Sequence, residues 1–159
     1  MNRYMGPILA VSEIAPARHF YETLLQQTVK YDFGVNVTFV GDYSVHLRSH
    51  LRGLQGLDIA ERVQNHTPDA ELTFETDDID GLEQRLSEAQ VEFVHGSREQ
   101  PWGQRVVRVY DRDGYVVEIG EEMAAVVRRM SRQGQSAEQI IEKTAMPAEF
   151  VEQALSAGT

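Results

Sequence analysis

The sequence contains no cysteine and no long uninterrupted apolar segment. The absence of Cys from its 159 residues excludes disulfide bonds and thiolate metal sites and fits a reducing compartment. The longest apolar runs, such as PILAV at Pro7–Val11, end well before the roughly 20 residues that a membrane-spanning helix requires. No signal-peptide pattern opens the chain. We therefore expect a cytoplasmic protein without a membrane partner.

Positive charge is also scarce. The chain has 15 Lys and Arg against 25 Asp and Glu, a formal net charge of −10. Binding to nucleic-acid phosphates depends on basic side chains that release counterions, so this balance argues against a nucleic-acid partner. A cationic small ligand would be attracted, although acidity that only keeps the protein in solution is the simpler explanation.

Motifs for covalent catalysis are missing as well. The sequence has no G-x-S-x-G motif, no phosphate-binding loop and no cysteine nucleophile. Covalent catalysis therefore has no support in the sequence.

Short strands and helices follow one another in an order that occurs twice. The first half has a strand at PILAV, a helix over IAPARHFYETLLQQ and a two-stranded hairpin near Val35–Val40 and Tyr43–Ser49. This is a βαββ unit with room for one more strand. The second half has a strand at AELTFETDD, a helix at DIDGLEQRLSEAQ and three strands, VEFVHG, QRVVRVYD and YVVEIG, the last two joined at Asp113-Gly114. An internal duplication, with units at about 5–52 and 68–120, is the simplest account.

The two halves are joined by the segment HLRGLQGLDIAERVQNHTPD, which contains two glycines and a proline and is the predicted linker. Beyond Gly120 the pattern becomes helical. Gly134 is expected to end a first helix, Ser136 with Gln139 forms a capping box for a second, and Pro147 at the first helical position begins a third.

The last two helices resemble a helix-turn-helix, but their charges argue against DNA contact. From residue 121 onward there are six acidic and four basic residues, and the last helix has no Lys or Arg. The apolar residues of this region need a surface to bury against, and the sheets and a second subunit are the two candidates.

Two tandem units of this kind resemble the glyoxalase/bleomycin-resistance/dioxygenase superfamily, also called the vicinal oxygen chelate superfamily. The resemblance rests on VSEIAPARHFYETLL in the first unit and on FETDDIDGL, PWGQRV and YDRDGYVVEIGE in the second. Arg112 stands where the family has the proline of a D-P-D-G turn. The resemblance implies an α+β fold in which tandem βαβββ units form a curled mixed sheet around a cavity. The domain covers residues 1–120, followed by a C-terminal helical extension at 121–159. Many relatives are dimers, so we expect a homodimer.

The resemblance also implies four positions for metal ligands. Two lie in the first strands of the units, near Gly6 and Glu71, and two in the last strands, at His46 and Glu118. Glycine has no ligating side chain, so His46, Glu71 and Glu118 are the candidates for Mn²⁺, Fe²⁺, Ni²⁺ or Zn²⁺. Because one ligand position is lost, we expect no cofactor, with a divalent metal as the alternative.

Five further residues are predicted to contact a ligand in the cavity. The aromatic candidates, for stacking, are Trp102, Tyr43 and Tyr110, and the basic candidates, for a ligand carboxylate, are Arg48 and Arg108. Each has a structural alternative. Trp102 can pin its own turn, the arginines can pair with surface acids, and Glu118 can pair with an arginine across the hairpin instead of serving a pocket.

Three hypotheses on function follow. The first is a metal-free protein that binds a small molecule, such as a toxic or antibiotic compound of cationic or aromatic character. The second is a metal-dependent lyase, isomerase or dioxygenase with Glu118 as catalytic carboxylate. The third is a regulatory module whose C-terminal helices present an apolar groove to another protein.

Overall fold

The computed structural model describes residues 4–55 and 67–157, which form two compact units. Within these residues, unit 1 comprises the chain up to Pro68 together with Tyr110–Tyr115, and unit 2 comprises Asp69–Val109 together with the chain from Val116 onward. Each unit contains one open, four-stranded mixed sheet with helices. The predicted α+β fold is confirmed.

Unit 1 has the order βαβββα. Its elements are β1 (Ile8–Val11), α1 (Ile14–Arg18, continued by a π-helical segment at His19–Leu24), β2 (Val29–Asp32), β3 (Asn36–Phe39), β4 (Ser44–Leu47) and α2 (Arg48–Gln55). The sheet order is β1-β4-β3-β2, with β1 parallel to β4 and the other neighbours antiparallel. The first strand thus lies beside the last, as the βαβββ pattern requires.

Side chains alternate between the two faces of this sheet. One face carries Val11, Val37 and Phe39, which are fully buried, and the ring of Phe39 contacts Tyr21 from the helix at 5.6 Å between centroids. The opposite face carries polar residues near its centre, among them His46, and exposed apolar residues, Ile8 and Tyr31, on its two edge strands. The sheet therefore packs one side against the helix, and the other side is mixed in polarity.

Unit 2 repeats this plan and adds three helices. Its elements are β5 (Thr67–Thr76), α3 (Ile79–Glu88), β6 (Phe93–Glu99), β7 (Arg105–Tyr110), β8 (Tyr115–Glu121), α4 (Met123–Arg132), α5 (Ala137–Thr144) and α6 (Ala148–Ser156). The strand order β5-β8-β7-β6 matches that of unit 1. Helix α3 begins where the Asp78 side chain accepts a hydrogen bond from the Gly81 amide at 2.9 Å.

The C-terminal helices bury their apolar residues against one another. Their cluster consists of Val126, Val127, Met130, Ile140, Val151 and Ala154. Helix α5 begins with the predicted Ser136–Gln139 capping box, and Gly134, with φ of +87°, follows the end of α4. The extension thus supplies the surface on which its own apolar residues are buried.

Three predictions about local structure need correction. The fourth strand ends at Leu47 instead of Ser49, because helix α2 begins at Arg48, and the start of the predicted linker is therefore helical. The rest of that linker, residues 56–66, lies outside the described residues. Pro147 has the extended backbone of an N-cap (ψ of 143°) and is not the first helical residue.

The additional strand that the first half allowed is present as β2.

No helix in the described ranges is long and apolar enough to cross a membrane.

Candidate functional site

An arginine lies at the centre of the solvent-facing side of the second sheet. Arg108, on β7, donates from Nε to Glu71 Oε2 on β5 at 3.0 Å and from Nη2 to Glu118 on β8. Its Nη1 atom lies 3.3 Å from His95 Nε2 on β6, the residue paired with Arg108 in the strand register. All four strands of the sheet therefore contribute one side chain to this cluster.

The cluster is only partly shielded from water. The side chains of Arg108 and Glu118 are 24% and 13% exposed, and that of Glu71 is 37% exposed. At this exposure the ion pairs orient the carboxylates more than they stabilise the fold. The two carboxylates outweigh the guanidinium by one negative charge, so the cluster favours a ligand that donates hydrogen bonds or carries positive charge.

A second polar cluster surrounds His46, on the side of the first sheet that faces away from α1; His46 itself is only 8% exposed. The Asn36 side-chain amide donates to His46 Nδ1 at 3.0 Å, which leaves the proton on Nε2, and Nε2 lies 2.8 Å from His50 Nδ1. The two imidazole rings are stacked with their centroids 5.1 Å apart. Burial, followed by the charge of His50, lowers the pKa of His46 below its ordinary 6.5. The surroundings of His46 thus disfavour its protonated form.

These residues do not fit a divalent cation as they are arranged. Both carboxylates, Glu71 and Glu118, are bound by a guanidinium, and both ring nitrogens of His46 are engaged by neighbours. A metal requires these same lone pairs. Throughout residues 4–55 and 67–157, no three His, Asp or Glu side chains form a group able to hold a metal ion.

The remaining predicted ligand contacts have structural partners. Tyr43 is buried in the core of unit 1, stacked on Phe39 at 4.9 Å, and burial raises its pKa. Arg48 donates to the Ala10 carbonyl at 3.0 Å and to Asp113 Oδ1 at 2.9 Å. These contacts attach both side chains to the scaffold of unit 1, and a contact to ligand stays a prediction for each.

Two aromatic candidates remain partly accessible. Trp102 is 39% exposed and donates from Nε1 to Gln104 Oε1 at 2.9 Å, so it both steadies its turn and presents a ring to solvent. Tyr110 is half-buried at the end of β7. Their roles in ligand binding also stay predictions.

Two buried carboxylates were missed by sequence reasoning, which treated Asp111-Arg112-Asp113-Gly114 only as a hairpin turn. Asp111 accepts hydrogen bonds from Tyr21 Oη at 2.9 Å and from two backbone amides, while Asp113 accepts from the Ser12 amide at 2.7 Å. Burial raises the pKa of Asp111, and the hydrogen bonds that Asp111 itself accepts offset only part of this rise. The two carboxylates thus attach this turn to Tyr21 and Ser12 of unit 1.

His50, Asn36 and His95 were also missed as polar partners. Only His50 left a sequence signal, since it lies four residues after His46, but the predicted strand through Ser49 placed it outside any helix. The other two come from neighbouring strands, and strand register is not visible in a single sequence.

Comparison with known proteins agrees with this architecture. Residues 4–124 match the family model of the glyoxalase-like domain. A protein of unknown function from Agrobacterium tumefaciens is 31% identical, with a TM-score of 0.66 over 77% of this chain and 95% of that chain. No curated protein matches significantly.

Two more distant structures share the fold. A glyoxalase-related enzyme from Fulvimarina pelagi is 16% identical, with a TM-score of 0.63 over 77% of this chain and 89% of its own. A glyoxalase/bleomycin resistance protein/dioxygenase from Nocardioides is 19% identical, with a TM-score of 0.58 over 76% of this chain and 84% of its own. With three quarters of its length matched by the family model, the chain belongs to the glyoxalase-like family, within the vicinal oxygen chelate superfamily.

Proposed function

We propose that this protein binds a small organic molecule on the exposed side of its second sheet and works without a metal ion. The observation that carries the proposal is the contact of Arg108 with both Glu71 and Glu118. These carboxylates stand at positions where the resemblance places metal ligands, and a guanidinium from the chain itself supplies their positive charge.

The chemistry of the cluster supports a cationic or hydrogen-bond-donating ligand. Carboxylates only accept hydrogen bonds, and an amine or amidine is their natural partner. The partly exposed ring of Trp102, elsewhere in the same unit, is a candidate stacking surface for an aromatic group. A toxic or antibiotic compound with an amine and an aromatic ring is the class of ligand that we propose the protein sequesters.

Metal content tests the metal-free part of the proposal. The protein is purified and then incubated with Mn²⁺, Ni²⁺, Zn²⁺ or Fe²⁺ under reducing conditions, beside Glu118→Gln and the surface control Glu142→Gln. We expect no stoichiometric metal in any of the three. Stoichiometric metal that is lost in Glu118→Gln alone would establish the alternative, a metal-dependent lyase, isomerase or dioxygenase.

Ligand binding tests the rest. Cationic aromatic compounds are screened by quenching of Trp102, the single tryptophan, and hits are confirmed by calorimetry. Losing a hydrogen bond to a charged group should weaken a hit at least about tenfold in Glu118→Gln. Equal affinities in Glu118→Gln and Glu142→Gln would remove Glu118 from the site.

We also propose that the protein is a homodimer. Ile8, Ser44, Thr38 and Tyr31 are cross-strand neighbours on the exposed side of the first sheet. Ile8 and Tyr31 are more than half exposed, and Phe33, which stacks on Tyr31, is 68% exposed. Apolar side chains of this size are suited to an interface. Light scattering should give twice the 18.0 kDa chain mass, and Tyr31→Ser should shift the protein to the monomer. A wild-type monomer would refute the proposal.

A further inference from the structure

A groove lies at the start of the C-terminal helices in unit 2. Its volume is about 270 Å³, and it is lined by Glu75, Glu122, Met123, Ala124, Met146 and Phe150. Pockets for drug-sized ligands hold roughly 300–1,000 Å³, so this groove suits a smaller molecule. Four of the lining residues lie within residues 4–124, which match the family, and Met146 and Phe150 lie beyond them, so the family's domain and the C-terminal helices form the groove together.

The apolar part of the lining is adaptable and favours a cation. Met123, Met146 and Phe150 are half-buried, so each presents part of its side chain to the groove. Methionine side chains are flexible and polarizable and adjust to the shape of a ligand. The face of a phenylalanine ring attracts positive charge.

The polar part of the lining is acidic. Glu75 and Glu122 are exposed, and within the described part of the chain neither carboxylate has a hydrogen-bonding or ion-pairing partner. The carboxylates of Glu71, Glu118 and Glu121, by contrast, are each bound by an arginine. Helices α4 and α6 begin beside the groove, but their N-termini contribute only about +0.5 charge each, less than the two carboxylates.

We propose that this groove binds a small organic cation. Its ammonium group faces Glu75 and Glu122, and its aromatic or alkyl body contacts Met123, Met146 and Phe150. Glu75 follows Glu71 by four residues on the same face of β5, about 13 Å further along the strand. The groove is therefore a second site, and its test is separate from that of the cluster around Arg108.

The methionine methyl groups provide a direct readout. The full chain, labelled with ¹³C at its five methionine methyls, is titrated with benzyltrimethylammonium, with benzyl alcohol as neutral control and phenylacetate as anionic control. We expect the Met123 and Met146 signals to shift with the cation only, with a Kd on the order of a few millimolar for so small a probe. The signal of Met5, in unit 1, should not move.

Charge-neutral variants test the acidic part of the site. Combined Glu75→Gln and Glu122→Gln should weaken the cation about tenfold, since two exposed charge contacts are lost. The matched control, combined Glu142→Gln and Glu152→Gln, removes two exposed glutamates outside the groove and should leave the affinity unchanged. Phe150→Leu should weaken the cation without any change in charge.

Four results would each overturn the proposal. In the titration, these are the absence of shifts at Met123 and Met146 at saturating benzyltrimethylammonium, and shifts of the same size with phenylacetate. The third is an equal affinity for the cation in the Glu75→Gln and Glu122→Gln variant and in its matched control. The fourth is a shift of the Met123 and Met146 signals that follows protein concentration when no probe is present. The last result would assign the groove to a second copy of the chain.

Discussion

Glu121 connects the second sheet to the C-terminal helices of unit 2. Its carboxylate, only 8% exposed, accepts hydrogen bonds from the Arg105 amide at 3.0 Å, from Arg105 Nη2 at 2.9 Å and from Arg129 Nη2 at 2.8 Å. The fold depends on the negative charge of this buried carboxylate. Neutralising it leaves Arg105 and Arg129 without the acceptor that they share.

Glu121→Gln should therefore lower the free energy of unfolding by about 3 kcal/mol. The neighbouring Glu122→Gln changes an exposed carboxylate and serves as the control, with an expected change within about 0.5 kcal/mol. Urea denaturation followed by circular dichroism measures both. Equal stability of the two variants would show that the hydrogen bonds of Glu121 contribute nothing net.

The same carboxylate makes stability depend on pH in the acid range. Burial alone would raise the pKa of Glu121, but hydrogen bonds from Arg105 and Arg129 outweigh burial and lower it below the ordinary 4.5. Its contribution is complete above pH 4.5 and is lost as the pH falls through the lower folded-state pKa. Between pH 6 and pH 3, wild type should lose more stability than Glu121→Gln, and parallel pH profiles would contradict this.

Asp111 in unit 1 makes stability depend on pH in the opposite direction. Its folded-state pKa is raised above the ordinary 3.8, chiefly by burial. Protonated Asp111 therefore stabilises the fold fully below pH 3.8, and this stabilisation is lost as the pH rises through the folded-state pKa. The hydrogen bond from Tyr21 lowers this pKa. Tyr21→Phe should raise the Asp111 pKa further and cost about 1–2 kcal/mol, as measured by carboxyl ¹³C titration and by denaturation. Tyr4→Phe, at an exposed ring in unit 1, should change neither.

The site residues show what a single sequence can and cannot predict. A pair between Glu118 and an arginine across its hairpin was one of two alternatives, and the structure shows it with Arg108. The third member, Glu71, comes from a strand that is 37 residues away from Arg108 in the chain. Such a contact depends on how strands neighbour in the sheet, which hydrophobic alternation does not encode.

Individual elements were predicted more reliably than their ends. Apolar periodicity and turn residues located strands and helices because both signals are local. The start of α2 was missed, since its sequence RSHLRGLQ contains a glycine and follows a strand without a break. The one-residue error at Pro147 arises because proline suits both the N-cap and the first helical position by its fixed φ.

Helix α5 offers a clean test of a predicted element boundary. Ser136→Ala removes the side chain that accepts from the Gln139 amide and should cost about 1 kcal/mol. Ser87→Ala, at an exposed position within α3, should be neutral or slightly stabilising because alanine has the higher helix propensity. Thermal denaturation of both variants measures the difference, and a neutral Ser136→Ala would exclude a stabilising role for the cap.

At the scale of the whole molecule, the C-terminal extension is integral to unit 2. Arg129 on α4 donates to the Gly103 carbonyl at 2.6 Å, and a Cβ at Gly103 would lie 1.9 Å from the Met130 side chain. The helices thus pack directly against the turn that carries Trp102.

Deletion of residues 123–159, which removes α4, α5 and α6 and keeps the whole of β8, should therefore destabilise the protein. We expect the melting temperature to fall by at least about 8 °C and the Trp102 emission to shift to the red. Deletion of residues 158–159 alone is the control and should change neither quantity. A truncated protein with wild-type melting temperature and emission would show that unit 2 is complete without its helices.

The turn before the first strand restricts which side chains residue 6 can carry. Gly6 has φ of +96°, and a Cβ at this residue would lie 1.4 Å from the Asp42 carbonyl oxygen. Neither a histidine nor any other side chain can be introduced at residue 6 by one substitution alone, because the turn at Gly41–Tyr43 has to move first. A ligating side chain at this position would therefore need a second, compensating change in that turn.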